Sequence, residues 1–240
     1  MILNYAHRGS LTEAPENTIP AFQKAINSGA KAIELDVQLS KDNELIVCHD
    51  HTFTRFNKNI KGRLNTFTLA DIKQIDVGSS FSKTYRNVSP PTLAEVLEIC
   101  PKHIKLNIEI KNIPIIHEDI EHILIDCLDR HQLLDHVIIS SFDHVALKKV
   151  QELAPQVELG MLFYYRILNA WDYAAQSGLN IKSIHPNNVY TDREFVESCK
   201  NRGYKVYPYT VNSKKRYEEL LDFGVDGVFS NNPEIFGELN

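Results

Sequence analysis

The sequence predicts an α/β protein, a (β/α)8 barrel with a small insertion after the second strand, and three observations carry that reading. First, short apolar, β-branched runs alternate about eight times along the 240 residues with longer stretches of helical periodicity. Second, one phrase recurs: a helix-stopping glycine, a short turn, then a buried strand. It appears at Gly29-Ala30-Lys31-Ala32-Ile33, Gly203-Tyr204-Lys205-Val206-Tyr207 and Gly224-Val225-Asp226-Gly227-Val228. Third, no glycine-rich dinucleotide fingerprint follows the first strand, which weighs against an open doubly wound sheet.

The elements follow in order. Strands are expected at Ile2–Ala6, Ala32–Val37, Ile104–Ile110, Val137–Ser140, Val157–Met161, Ile181–Ile184, Lys205–Tyr209 and Gly227–Ser230. Helices are expected at Thr18–Ser28, His117–His131, Ala146–Leu153, Asn169–Ser177, Asp192–Arg202 and Lys214–Phe223, with Gly29, Gly178, Gly203 and Gly224 just past helix ends. Asp42-Asn43 before Glu44–Cys48 reads as a tight turn that adds a strand beside the second one. Residues from about 51 to 91 break the rhythm, polar with scattered aromatics, and read as an insertion covering the barrel mouth. No linker divides the chain, so residues 1–240 are expected to form one domain.

Composition bounds the function. An apolar share of 43% with 24% charged residues is that of an ordinary globular protein. A net charge of −5 offers no basic face for nucleic acid, so an anionic substrate would meet a few placed cations. No leader and no membrane-spanning run is visible. With Cys48, Cys100, Cys127 and Cys199 outside any zinc-like spacing, this suggests reduced thiols in a cytoplasmic protein. Monomer and homodimer stay open.

In a barrel of this type the chemistry sits at the carboxyl ends of the strands. There the sequence places His7-Arg8-Gly9, Glu34-Leu35-Asp36, His49-Asp50 and Glu109-Ile110-Lys111. Glu34 and Asp36 lie two apart on a strand, so both face one way, and two buried carboxylates repel one another and lose solvation. A hard cation bound by Glu34, Asp36 and Glu109 would relieve both costs; an ion-pair network with Arg8 and Lys111 is the alternative. His7 and His49 could be hydrogen-bonded core residues. Two imidazoles flanking a phosphorus centre could equally take a proton from a nucleophile and give one to a leaving oxygen, with Arg8 and Lys111 holding phosphoryl oxygens. Glu16 and Asn17 read as capping groups of the helix from Thr18, and Asp50 as a group orienting its surroundings.

These motifs, with Pro15-Glu16-Asn17-Thr18, Pro91-Thr92-Leu93, Ser140-Ser141-Phe142, His185-Pro186, Thr210-Val211-Asn212 and Asp226-Gly227, come in the order and spacing of a known family. From residue 5 to about 233 the chain resembles the glycerophosphodiester phosphodiesterases. The resemblance implies the inserted barrel, and one divalent cation, Ca2+ or Mg2+, at Glu34, Asp36 and Glu109. It also implies His7 and His49 as the acid/base pair, and Arg8 and Lys111 as phosphate ligands. The activity implied is hydrolysis of glycerophosphodiesters to sn-glycerol 3-phosphate and an alcohol through a cyclic intermediate. Cleavage of a lipid phosphodiester that stops at the cyclic product, with Phe53, Phe56, Phe67 and Phe81 as a membrane rim, and a non-catalytic metal- or phosphate-binding barrel are the alternatives.

Departures from the family pattern fall elsewhere. Tyr209 stands where the family usually has tryptophan, giving an aromatic wall with an added hydroxyl for the substrate. Ser230-Asn231-Asn232-Pro233 replaces a Thr-Asp phrase, so a carboxylate expected among the substrate contacts is missing. His185, at a strand end, faces either substrate or core, and Tyr164-Tyr165-Arg166 either shape the alcohol pocket or pack in a loop.

Overall fold

The computed structural model describes residues 2–232; Met1 and the stretch from Pro233 onward, including the last residue of the Ser230–Pro233 phrase, lie outside the described residues. Among the described residues, eight parallel strands form the barrel wall: β1 (Tyr5–His7), β2 (Ala32–Leu39), β4 (Lys105–Ile110), β5 (Val137–Ser141), β6 (Glu158–Phe163), β7 (Ile181–Pro186), β8 (Lys205–Val206) and β9 (Phe229–Ser230). The short strand β3 (Leu45–Val47) pairs antiparallel with β2. The ladder runs β8-β7-β6-β5-β4-β2-β1-β9, and the ring closes through Asp226 N–H to Val206 O (3.0 Å) and Phe229 N–H to Pro208 O (3.0 Å).

Helices α1 (Ile19–Asn27), α3 (Leu93–Ile99), α4 (Ile120–Arg130), α5 (His144–Leu153), α6 (Ala170–Gln176), α7 (Arg193–Lys200) and α8 (Lys214–Phe223) link the strands; α2 (Leu69–Ile72) lies in the 51–91 segment. Several start on side-chain caps. Thr18 caps α1, and Thr92 with Glu95 makes a reciprocal capping box on α3. Gly29, Gly178, Gly203 and Gly224 all take positive φ, the left-handed exit the repeated phrase implied.

Every residue of β2 is buried, because both sides of a barrel strand are covered. Ile33, Leu35, Val37 and Leu39 join the apolar layer under the helices, whereas Glu34, Asp36 and Gln38 alternate onto the interior. One end of the interior is closed by Tyr5, Ile138, Tyr207 and Phe229, with the Tyr5 and Phe229 rings stacked 4.7 Å apart. The opposite end, where Glu34 and Glu109 emerge, is left polar.

The 51–91 segment contributes no residue to the lining of the cavity at the strand ends. Its apolar residues have a nearer place to bury, against the outside of the β2–β3 hairpin, where Phe53, Leu64, Ile72, Ile75 and Val77 cluster with Ile46 and Cys48. Phe53 is fully buried, and Phe56 and Phe67 pack on this cluster, so the rim of four phenylalanines that the lipid alternative would use is not formed; Phe81 alone of them is exposed.

Candidate active site

The strand ends bring His7, Arg8, Glu34, His49, Glu109, Lys111, His185 and Tyr209 into the lining of one cavity of about 310 Å3, with Asn107, Ser140, Phe142, Leu162 and Tyr164 among its other walls. Asp36 sits just beneath, fully buried. Glu34, Asp36 and Glu109 place one oxygen each within 4.8 Å of one another.

Local backbone geometry sets this up. Arg8 is left-handed (φ 58°), a conformation unusual outside glycine, and its amide N–H reaches both the Glu34 carbonyl and Glu34 Oε2, each at 3.0 Å. Gly9 follows at φ 90°, where a Cβ would lie 2.7 Å from the Ala21 backbone; only glycine lets this turn sit on α1.

Three buried carboxylates face two cations here. Lys111 Nζ lies 2.7 Å from Glu109 Oε1 and 3.8 Å from Asp36 Oδ1, and Arg8 Nε lies 3.3 Å from Asp36 Oδ2. Burial, the Asp36 charge and the Glu109 charge push Glu34 well above the ordinary carboxylate range. Burial also raises Glu109, although Lys111 opposes it. At Asp36 burial acts upward too, but Arg8, Lys111 and both histidines outweigh it and hold the carboxyl well below its usual range. Glu34 Oε1 and Asp36 Oδ1 are buried without a hydrogen-bond partner. Arg8 and Lys111 therefore do not satisfy the cluster. Its hard oxygen donors and orphaned lone pairs fit a divalent cation.

The two histidines are held differently. His7 Nδ1–H donates to Asn231 Oδ1 at 2.6 Å, and its Nε2 lies 3.8 Å from Glu34 Oε2. Burial, then the Arg8 charge, brings its pKa down to about 4. His49 Nδ1–H donates to Asp50 Oδ1 at 2.8 Å, and two N–H donors, from His49 and Arg55, outweigh burial and lower Asp50 to about 2. Asp50 thus orients a neighbour, as expected, and the neighbour is His49.

Several residues have other partners than the sequence suggested. Asn17 does not cap α1, since Thr18 does. Its Nδ2–H donates to Asp36 Oδ2 at 2.8 Å, and a left-handed backbone (φ 54°) aims it inward. Glu16 ties Arg8 (3.0 Å) to Arg55 (2.7 and 2.8 Å). The Tyr209 hydroxyl, expected for substrate, donates instead to the Phe163 carbonyl at 2.9 Å, while its ring meets Phe142 edge-on. His185 lies on the cavity floor, fully buried, beside Ser183 Oγ at 2.8 Å. Burial lowers its pKa to about 3, and its Nδ1 has no partner. Gly160 makes room for that ring, since a Cβ there would fall 2.5 Å from His185 Cε1. Asn231, in the phrase that departs from the family pattern, touches His7. Arg55 carries no sequence signal at all.

A closed parallel barrel that gathers two imidazoles, an arginine, a lysine and three buried carboxylates at its carboxyl face has the make-up of a barrel enzyme for phosphoryl transfer. The glycerophosphoryl diester phosphodiesterase family model matches residues 7–235, and the chain belongs to that family. A glycerophosphodiester phosphodiesterase of Caldanaerobacter subterraneus subsp. tengcongensis is 40% identical over 235 residues, covering 98% of this chain and 96% of that protein. One of Bacillus subtilis is 36% identical, covering 99% and 86%. Among solved structures, an Oleispira antarctica phosphodiesterase in complex with the product sn-glycerol-3-phosphate superposes with a TM-score of 0.87. It is 30% identical, and the match covers 98% of this chain and 95% of that one. No helix among the described residues is long and apolar enough to cross a membrane.

Proposed function

We propose that the protein hydrolyses glycerophosphodiesters to sn-glycerol 3-phosphate and an alcohol, using His7 and His49 as proton carriers above a cation site at Glu34, Asp36 and Glu109. Family membership and the product bound by the Oleispira antarctica relative support the reaction. The observation that carries the site is the pair of imidazoles, each anchored through Nδ1, at one cavity with three carboxylates. A binding barrel without turnover has no use for two anchored proton carriers.

A bound Ca2+ or Mg2+ would lower the pKa of a substrate hydroxyl and offset charge on the phosphoryl oxygens. Arg8 and Lys111 bind those oxygens and orient the diester. His7, neutral at pH 7 and nearest Glu34, takes the proton of the glycerol hydroxyl as that oxygen bonds to phosphorus. The bond to the alcohol oxygen breaks, and His49, held through Nδ1 by Asp50, protonates the departing oxygen. Water then attacks phosphorus and gives its proton to His49, while His7 returns its proton to the glycerol oxygen as the ring opens. Tyr209 and Phe142 wall the cavity, with His185 on its floor. One barrel domain in the cytoplasm carries this chemistry, a setting supported by four free cysteines.

The test is glycerol 3-phosphate release from glycerophosphocholine with Ca2+ or Mg2+, with phosphorus NMR to separate linear from cyclic phosphate. Activity should vanish with a chelator and return with the ion. Folded protein that leaves every phosphodiester intact under each ion would refute the reading, and accumulation of the cyclic product alone would move it to a lyase.

A further inference from the structure

A second cavity of about 360 Å3 adjoins the first and shares Phe142, Leu162 and Tyr164 with it. Its outer wall is Ile113, from the loop after β4, with Tyr165 and Ile167, from the loop after β6. These side chains are 52%, 73% and 43% exposed, and nothing among the described residues covers them. No carboxylate, lysine or arginine among the described residues lines this groove. Its single imidazole is spoken for: His144 Nε2–H donates to the Leu162 carbonyl (3.0 Å), and the Tyr173 hydroxyl donates to Nδ1 (3.0 Å). Burial lowers the His144 pKa, so the ring is neutral at pH 7. The rim is anchored, since His51 Nε2–H donates to the Ile113 carbonyl at 2.9 Å.

We infer that this groove binds an alkyl or acyl chain carried by the leaving alcohol, so that the best substrates are glycerophosphodiesters with an apolar second ester. Continuity identifies the occupant. The polar floor of the first cavity, with Asn107, Ser140 and the carboxylates, suits the hydroxyl-bearing glycerol half, and the groove is its apolar extension past Phe142 and Tyr164. A small charged headgroup would find no counter-charge there, whereas a chain would cover the exposed side chains. The inference rests on the proposed reaction at the adjoining cavity and adds the class of alcohol.

The experiment uses n-alkyl esters of sn-glycerol 3-phosphate, from ethyl to octyl, below their aggregation limits, with the choline ester for comparison. We expect kcat/KM to rise about twofold per methylene, roughly half the gain of a fully buried methylene, as suits an open groove. The double variant Ile113→Ser, Tyr165→Ser should flatten this slope and leave the ethyl ester rate unchanged; neither side chain lines the first cavity. A flat or falling series in the wild type, a choline ester that outpaces the octyl ester, or a slope that survives the double variant would each overturn the inference. No release from any ester, ethyl included, would overturn the proposed reaction and the inference with it.

Discussion

Asn231 Oδ1 accepts the Nδ1 proton of His7 at 2.6 Å, so the half-buried histidine of the first strand is oriented by a neutral amide. An amide fixes the tautomer and adds no charge, and burial with Arg8 then keeps His7 at about 4. In Asn231→Asp a carboxylate would favour the imidazolium and raise this pKa by roughly one to three units. The protonated base is inactive, so the acid limb of kcat/KM should move by that amount toward neutral pH. Rates measured from about pH 4 to about pH 8 check it; an unmoved limb would show that His7 is not the group titrating there.

The second histidine depends on charge. Asp50→Asn keeps a partner for His49 Nδ1 but removes the carboxylate charge beside it, and a roughly 100- to 10,000-fold loss in kcat is expected. Arg55→Ala should cost less, about tenfold or below, because it acts only by aligning Asp50 and Glu16. Single-turnover rates for the two variants test this order.

What could be read from the sequence, and what could not, follows from distance along the chain. Glu34 and Asp36 announce themselves because strand period puts both on one face, and the repeated glycine phrase fixes where strands begin. Asn231 meets His7 across 224 positions and Arg55 meets Glu16 across 39, and no local pattern encodes such pairings. Asn17 misled because its residue type suits a cap; the neighbouring Thr18 took that role and freed Asn17 to reach Asp36. The phenylalanines of the 51–91 segment misled because aromatic content does not say which surface is nearest, and the β2–β3 hairpin offered one.

The cation site should trade stability for function. Glu34 and Glu109 have folded pKa values raised above about 4.5, so without metal their contribution to stability is present at acid pH and is lost as pH rises from there through the raised values. Asp36, depressed, acts oppositely and only below its usual range. Chelator-treated protein should therefore lose Tm as pH rises above about 4.5, and Ca2+ or Mg2+ should restore it at neutral pH and above. Glu34→Gln should raise the metal-free Tm at pH 8 by about 2–4 °C and abolish most of the response to metal. Thermal melts with and without ion decide it; an unchanged metal response in this variant would remove Glu34 from the site.

Asn17 offers the sharpest separation of support from chemistry. Its side chain lies in the buried layer under the cavity and donates one of the few hydrogen bonds Asp36 receives from a neutral group. Asn17→Ala strips a charged acceptor of that donor, a loss of about 1.5–3 kcal/mol if Asp36 stays charged. Arg8 and Lys111 keep Asp36 ionised, so the loss should fall on its aim and on metal affinity. We expect metal affinity to weaken about 10- to 100-fold, with kcat at saturating metal within about tenfold of the parent. Titration of activity against Mg2+ separates the two; a fall in kcat that no metal concentration repairs would place Asn17 against the substrate rather than behind the cation.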